Sequence, residues 1–281
     1  MTATVIIVAY RTPELDLGWV PDRAAVIVVH NDGSLAPESV DHPAVTHLHP
    51  GENLGYGRAV NLALGQVRTE RTIVANPDLK LERRHFEALA SAPSGVVVTV
   101  PLVDLEGEPT PVLVPNYSPV TFLLTTLRAG RLIGRGSPVR AWLLARTRWG
   151  RNLERAGNDF DERRLAGAWV GGALFSVDTA RLRAVEGFDP DFFLYFEDAD
   201  LSQRLADRFP ELRVRNVSGP PGVHAVGGSS PDRAARRRTR RIQWDSASVF
   251  AARQPGWSWL PARALATAGS RLFGASSDGG G

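Results

Sequence analysis

The chain contains no cysteine. Disulfides, thiolate metal sites and thiol nucleophiles are therefore excluded, and a cytosolic setting is the simple expectation. Lysine is nearly missing as well. Lys80 is the sole lysine, so almost all of the basic charge is arginine. No apolar run approaches the roughly 18–20 residues that a membrane-spanning helix needs. The first residues, MTATVIIVAY, enter an apolar run without a basic leader or a small-residue cleavage site, so no secretory signal is expected. Two nucleotide fingerprints are also missing. G-x-G-x-x-G does not follow the first apolar run, and G-x-x-x-x-G-K-[ST] does not occur. Neither a standard dehydrogenase nor a P-loop enzyme is expected.

What is present fits a globular protein. A length of 281 residues, 43% of them hydrophobic, allows one large domain or two small ones. The net charge of +3 hides two arginine clusters, at 128–155 and 233–241. Such clusters suit phosphates of nucleic acid, of anionic lipid headgroups or of a diphosphate substrate; they also occur as plain solvated faces.

Short β-branched runs at 4–9, 25–29, 44–48, 72–75 and 95–100 read as buried parallel strands. Helical spacing follows in the second half of GENLGYGRAVNLALGQV and over 82–91. Later come a strand-like run at 168–177, a helix at 178–185, a helix from Glu197 to about Arg208, a strand at 212–217 and a basic helix at 232–253. Alternation of this kind implies an α/β fold with a mainly parallel central sheet flanked by helices. Ligands of such sheets sit beyond the carboxyl ends of the strands. Polar loops lie there: Tyr10–Thr12, His30–Ser34 and Asn76–Asp78. Residues 109–165 are proline-broken and apolar-basic, and read as an insertion with one or two amphipathic helices. Residues 231–281 read as a basic, amphipathic helical extension with a disordered SSDGGG end.

The most unusual local choice is GFDPDFFLYFEDADL at 187–201, where Asp189, Asp191, Glu197, Asp198 and Asp200 stand among five aromatic rings. An acidic site with apolar walls is one reading, and an exposed acidic helix start whose rings fill the core is the other. Asp198 and Asp200 lie about 200° apart on a helix, so they cannot face one substrate. Gly171 and Gly172 imply close approach of another chain or a ligand. Asp78 ends a buried strand, and His224 sits in a small-residue loop. Oxygen ligands with one imidazole suit Mg²⁺ or Mn²⁺.

Taken in order, NLGYGRAVN, ANPDL, GGALF, FDPDFFLYFEDADLSQRL and a late histidine resemble the inverting, family-2 glycosyltransferases of GT-A fold. The resemblance covers about 1–230, loosest over 109–165. It divides this catalytic domain into a nucleotide-sugar half (1–108), the insertion, and an acceptor and catalytic half (166–230). The NLGYG, VANPD and aromatic-ED-x-D pieces are similar to those of actinobacterial enzymes that move rhamnose from dTDP-rhamnose to polyprenyl-diphosphate-linked GlcNAc. The resemblance implies Asp198 as catalytic base and Asp78 with His224 as ligands of Mg²⁺ or Mn²⁺. It implies Ala9, Tyr10, Arg11, Asn31, Asp32, Asn53, Gly55, Arg58 and Asn76 on the donor side. Gly172, Glu197 and Asp200 become acceptor-side or supporting groups. The family's usual D-N-G-S is N-D-G-S here, which leaves open whether Asn31 or Asp32 contacts the nucleoside. The implied partners are a nucleoside diphosphate sugar and a saccharide or lipid-linked acceptor. The implied place is the cytoplasm, at the inner face of the plasma membrane if the arginines meet anionic lipid.

Other classes fit less well. A sugar-1-phosphate nucleotidyltransferase would carry a glycine- and arginine-rich loop after the first strand, where this chain has AYRTPELD. A binding module would need no base. No nucleic-acid partner is expected, because no recognised binding motif accompanies the arginines. A small natural-product acceptor remains an alternative to a lipid.

Overall fold

β-Branched segments with no polar face have to be covered on both sides, and the central strands are. In the computed structural model, which describes residues 3–12, 14–32, 40, 42–127, 161–225 and 233–274, every residue of Ala3–Ala9 (β1) and Arg71–Ala75 (β4) is buried. Ala25–His30 (β2) and Val45–Leu48 (β3) pair parallel beyond β1, giving the order β3-β2-β1-β4. The sheet continues past β4 through Leu174–Asp178 (β12), Val96–Thr99 (β6), Arg213–Asn216 (β13) and Glu162–Arg164 (β10), eight strands among the described residues. β12 runs antiparallel to β4 and β6, and β10 antiparallel to β13, so the sheet is mixed but largely parallel.

Helices Tyr56–Leu64 (α1), Arg83–Ala90 (α2), Thr179–Ala184 (α4) and Glu197–Arg208 (α5) flank this sheet, close to where the periodicity predicts them. Two smaller sheets escape the sequence reading. One joins Leu79–Lys80 (β5), Leu102–Val103 (β7), Pro109–Thr110 (β8) and Gly222–His224 (β14); the other pairs Leu113–Pro115 (β9) with Ala168–Val170 (β11). Strands of two or three residues carry no periodicity to detect.

Three expectations change. The run 168–177 is two strands, β11 and β12, because the chain turns at Gly172–Ala173. His224 closes strand β14 and is paired with Leu79 across the ladder, so it is not a loop residue. The segment taken as insertion from 109 starts with strands β8 and β9, and Pro119–Thr126 (α3) follows them. Residues 128–160 lie outside the described residues. With them go the first arginine cluster and the second amphipathic piece; Gly33–Ser34, Gly227–Ser230 and SSDGGG also lie outside.

Arg233–Arg253 (α6) and Leu260–Gly274 (α7) form an antiparallel pair, joined by a short turn of 3₁₀-helix at Trp257–Trp259. A second core lies beneath them, made of Phe122, Phe192, Phe196, Ala247, Phe250 and Trp259 among others. The helix pair thus packs behind the acidic, aromatic stretch. Among the described residues no helix is long and apolar enough to cross a membrane.

Candidate active site

The acidic stretch reaches the sheet edge through a strained turn. Tyr195 and Phe196 both have left-handed backbones, φ 74° and 67°. Each such non-glycine residue costs about 1–3 kcal/mol and needs surrounding structure to hold it. The turn starts α5 with Glu197 and Asp198 in its first turn, where the helix dipole favours negative charge. Asp198 Oδ2 accepts the Gly172 backbone N–H at 3.1 Å, and its Oδ1 accepts that of Ala199 at 2.8 Å. Burial pushes the Asp198 carboxyl up, and the backbone donors only partly offset this, so its pKa stays above the usual aspartate range. Glu197 is 6% exposed, and its Oε2 has no hydrogen-bond partner. Burial, then the adjacent Asp198 charge, raise its pKa further.

Tyr56 completes this half of the site. Its hydroxyl donates to the Gly172 carbonyl at 2.8 Å, so Tyr56 holds the Gly172 carbonyl and Asp198 holds its N–H. Burial, then the charges of Glu197, Asp198 and Asp78, push the Tyr56 hydroxyl up, which keeps it a donor. Tyr117 likewise has its pKa raised, by burial and then by Asp198.

The other half gathers at the end of β4. Asn76 N–H donates to the Ala173 carbonyl at 2.8 Å, and the Asp78 carbonyl accepts from Ala225 at 3.0 Å. His224 Nε2 lies 3.2 Å from Asp78 Oδ1 and 3.3 Å from Asn76 Nδ2. His224 Nδ1 is buried without a partner. Among the described residues no three His, Asp or Glu side chains converge on a point. The donor set is therefore one carboxylate, one imidazole and the Asn76 amide, whose oxygen replaces its nitrogen when the group is flipped. These hard oxygens with one imidazole fit Mg²⁺ or Mn²⁺. Consecutive residues tie the halves together: Gly172 bonds Asp198 and Ala173 bonds Asn76.

At the ends of β1 and β2, Asp32 Oδ2 accepts the Arg11 N–H at 2.6 Å, and the Arg11 guanidinium lies 5.4 Å from the Tyr10 ring centre. Ala9 carbonyl accepts the Asn31 N–H at 2.8 Å. The Asn31 side chain is 3% exposed and bonds inward, to Asn53 Oδ1, the Gly55 carbonyl and the Leu54 N–H. Asn53 Oδ1 also accepts the Gly55 N–H.

The NLGYGRAVN motif meets the acidic stretch. Phe193 carbonyl accepts from Tyr56 N–H at 2.8 Å, Pro190 carbonyl from Arg58 Nε at 2.6 Å, and Asn61 bonds both N–H and carbonyl of Phe188. A Cβ on Gly55, whose φ is 81°, would stand 2.3 Å from the Phe193 oxygen. The two most distinctive sequence pieces are thus each other's support. Asp200 turns away from Asp198, toward Arg204 at 2.7 Å and Arg253 at 3.5 Å. Tyr56, Tyr117 and Arg253 were not singled out from sequence. Tyr56 lies inside a motif that was, but its bond to a residue 116 positions away has no local signature.

Solved structures share this architecture. The fold is similar to that of GalNAc-T7 with UDP, GalNAc and Mn²⁺ (TM-score 0.53, 11% identity, 99% of this chain and 56% of that one). It is also similar to S. aureus TarS (TM-score 0.53, 13% identity, 98% of this chain and 55% of that one). The chain has the GT-A-like fold of glycosyltransferases. In sequence it is similar to the N-acetylglucosaminyl-diphospho-decaprenol L-rhamnosyltransferase of Mycobacterium tuberculosis, 28% identical over 206 residues, which are 67% of this chain and 63% of that protein. The match thus spans less than two thirds of the length of the curated relative. No protein-family model matches the chain.

Proposed function

We propose that the protein is an inverting glycosyltransferase that moves a sugar from a nucleoside diphosphate donor to an acceptor hydroxyl. One observation carries this reading: Asp198, a carboxylate with a raised pKa, is tethered through Gly172–Ala173 to the group Asn76, Asp78 and His224. Asp78, His224 and the Asn76 amide would hold Mg²⁺ or Mn²⁺, which when bound supplies charge neutralisation for the diphosphate. Asp198 takes the proton of the acceptor hydroxyl as that oxygen attacks the anomeric carbon and the bond to the diphosphate oxygen breaks. Each Asp198 oxygen accepts one backbone N–H and keeps a lone pair for that proton. With no enzyme nucleophile between, the displacement is single and the anomeric configuration inverts. Because the Asn31 amide bonds its own scaffold, Asp32 is the better candidate for the nucleoside contact. Arg58 and Asn53 then serve the donor site by holding its walls.

Similarity to an N-acetylglucosaminyl-diphospho-decaprenol L-rhamnosyltransferase supports rhamnose as the sugar and a polyprenyl-diphosphate-linked saccharide as acceptor, and dTDP-rhamnose is the donor this reading proposes. The exposed Arg237, Arg238 and Arg240 at the start of α6 would then face anionic lipid at the inner side of the plasma membrane. The experiment is a panel of dTDP-, UDP- and GDP-sugars scored by thermal shift with Mn²⁺, Mg²⁺ or chelator, followed by transfer to lipid-linked GlcNAc or to small natural-product acceptors. Metal-dependent stabilisation by one donor family is expected; no shift with any donor sinks the reading. Asp198→Asn is expected to lower turnover by at least about 1000-fold while donor binding persists. Flotation with anionic liposomes tests the membrane contact, and a protein that stays wholly in the soluble fraction counts against it.

A further inference from the structure

We propose that Arg253, at the end of α6, is a positioning residue of the catalytic centre. It locks the 189–200 segment and so makes the C-terminal helix pair part of the active site. This deepens the glycosyltransferase reading and rests on it.

The guanidinium gathers three carboxylates of one segment. Nη1 lies 2.7 Å from Asp189 Oδ2 and 3.5 Å from Asp200 Oδ1, and Nη2 lies 2.6 Å from Asp191 Oδ2. It also sits 5.0 Å from the Phe192 ring centre, within cation–π range. Three carboxylates so close repel one another, and one delocalised cation turns that repulsion into a clamp. Burial works against the Asp189 carboxylate, but bonds from Arg253 and the Asp191 N–H outweigh it and bring its pKa below the usual range. Arg204 holds the other Asp200 oxygen at 2.7 Å and donates to the carbonyls of Val185 and Gly187. Asp200 is thereby fixed from both sides, two residues from Asp198.

The strained turn at Tyr195–Phe196 lies inside the clamped segment and needs such an external hold. The rest of α6 and the residue after it provide more of it. Ser246 Oγ donates to the Leu194 carbonyl at 2.8 Å, and the Phe250 ring stands 5.4 Å from that of Phe196. Gln254 Nε2 donates to Gln203 on α5 at 3.2 Å. Arg253 touches none of the candidate reacting groups; its effect runs through the backbone that delivers Asp198.

The test uses the full chain with Arg253→Met and Arg253→Lys, read by steady-state kinetics and by hydrogen exchange. A base misplaced by an ångström loses rate and not donor affinity, so Arg253→Met should lower kcat by about 10-fold or more with donor KM within about 2-fold. Exchange should quicken in peptides covering 188–198 and stay unchanged in β1, β2 and β4. Arg253→Lys keeps the charge without the fork and should recover only part of kcat. An unchanged kcat overturns the proposal. So does a loss accompanied by faster exchange across the central sheet, which would make Arg253 a general stability residue. If Arg253→Met does not fold, Asp191→Ala removes one of its three ion pairs from the exposed partner. A localised exchange change with lower kcat then supports the clamp, and no change overturns it. A wild-type chain that transfers from no donor would overturn the glycosyltransferase reading, while the exchange measurement would still judge the clamp.

Discussion

Glu197 and Asp198 are adjacent carboxylates in unlike settings. Asp198 has two backbone donors and is half-buried; Glu197 has burial, a negative neighbour and an oxygen without a partner. The physical consequence is a division of states: Asp198 ionises first, and Glu197 holds its proton to higher pH. Two pH effects follow. A base must be deprotonated to act, so the acid limb of kcat should lie above the ~3.9 of a free aspartate, with activity lost as pH falls through the raised pKa. For stability the sign is opposite to that of an ion-paired acid. Above the unfolded pKa of about 4.3 the native state binds more protons at Glu197 than the unfolded chain does, so stability falls as pH rises through that window. Glu197→Gln, which copies the protonated form, should flatten this decline. Melting temperatures of the two proteins across pH 5–9 check it, and parallel curves would refute it.

At the scale of elements, α1 is a docking platform as much as a helix. Gly57 lets Phe188 lie directly on it, since a Cβ there would be 2.7 Å from the Phe188 Cβ. Phe188 is fully buried and cannot step aside. Gly57→Ala should therefore destabilise by about 1–3 kcal/mol from overpacking, less the ~1 kcal/mol that alanine gains over glycine in a helix. Urea unfolding measures the net loss, and reduced transfer should accompany it as residues 188–193 shift. The identity and order of the main elements were legible in the sequence. Buried strands such as TVIIVA and AVIVV carry their own signature, and so does the helical stripe Ala59, Val60, Ala63, Leu64. The docking was not legible, because Asn61 and Phe188 meet across 127 residues. Nor was the break of 168–177 into two strands, which a turn at Gly172–Ala173 makes inside a continuous strand-like run.

The whole molecule separates stability from chemistry along its strands. At the end of β4 remote from the site, Arg71 is 2% exposed. It donates to Ser176 Oγ at 2.9 Å, the Val96 carbonyl at 2.9 Å and Asp178 at 3.1 Å. Arg71→Ala would leave Asp178 short of a buried partner and should cost about 3 kcal/mol in chemical unfolding. The kcat of the folded fraction should not change, because Ala75 and Asn76 at the other end form the site edge. A kcat loss without a stability loss would contradict this polarity. The sequence by itself determined the α/β alternation, the polar loops at the strand ends and the stock of carboxylates, because hydrophobic period and turn chemistry are written within a few residues. Only the tertiary structure decided which carboxylates are committed. Asp189, Asp191 and Asp200 are bound by Arg253 from 53 or more positions away, while among the described residues Asp198 forms no ion pair. Pairing across that separation depends on the path of the chain, which no local pattern records.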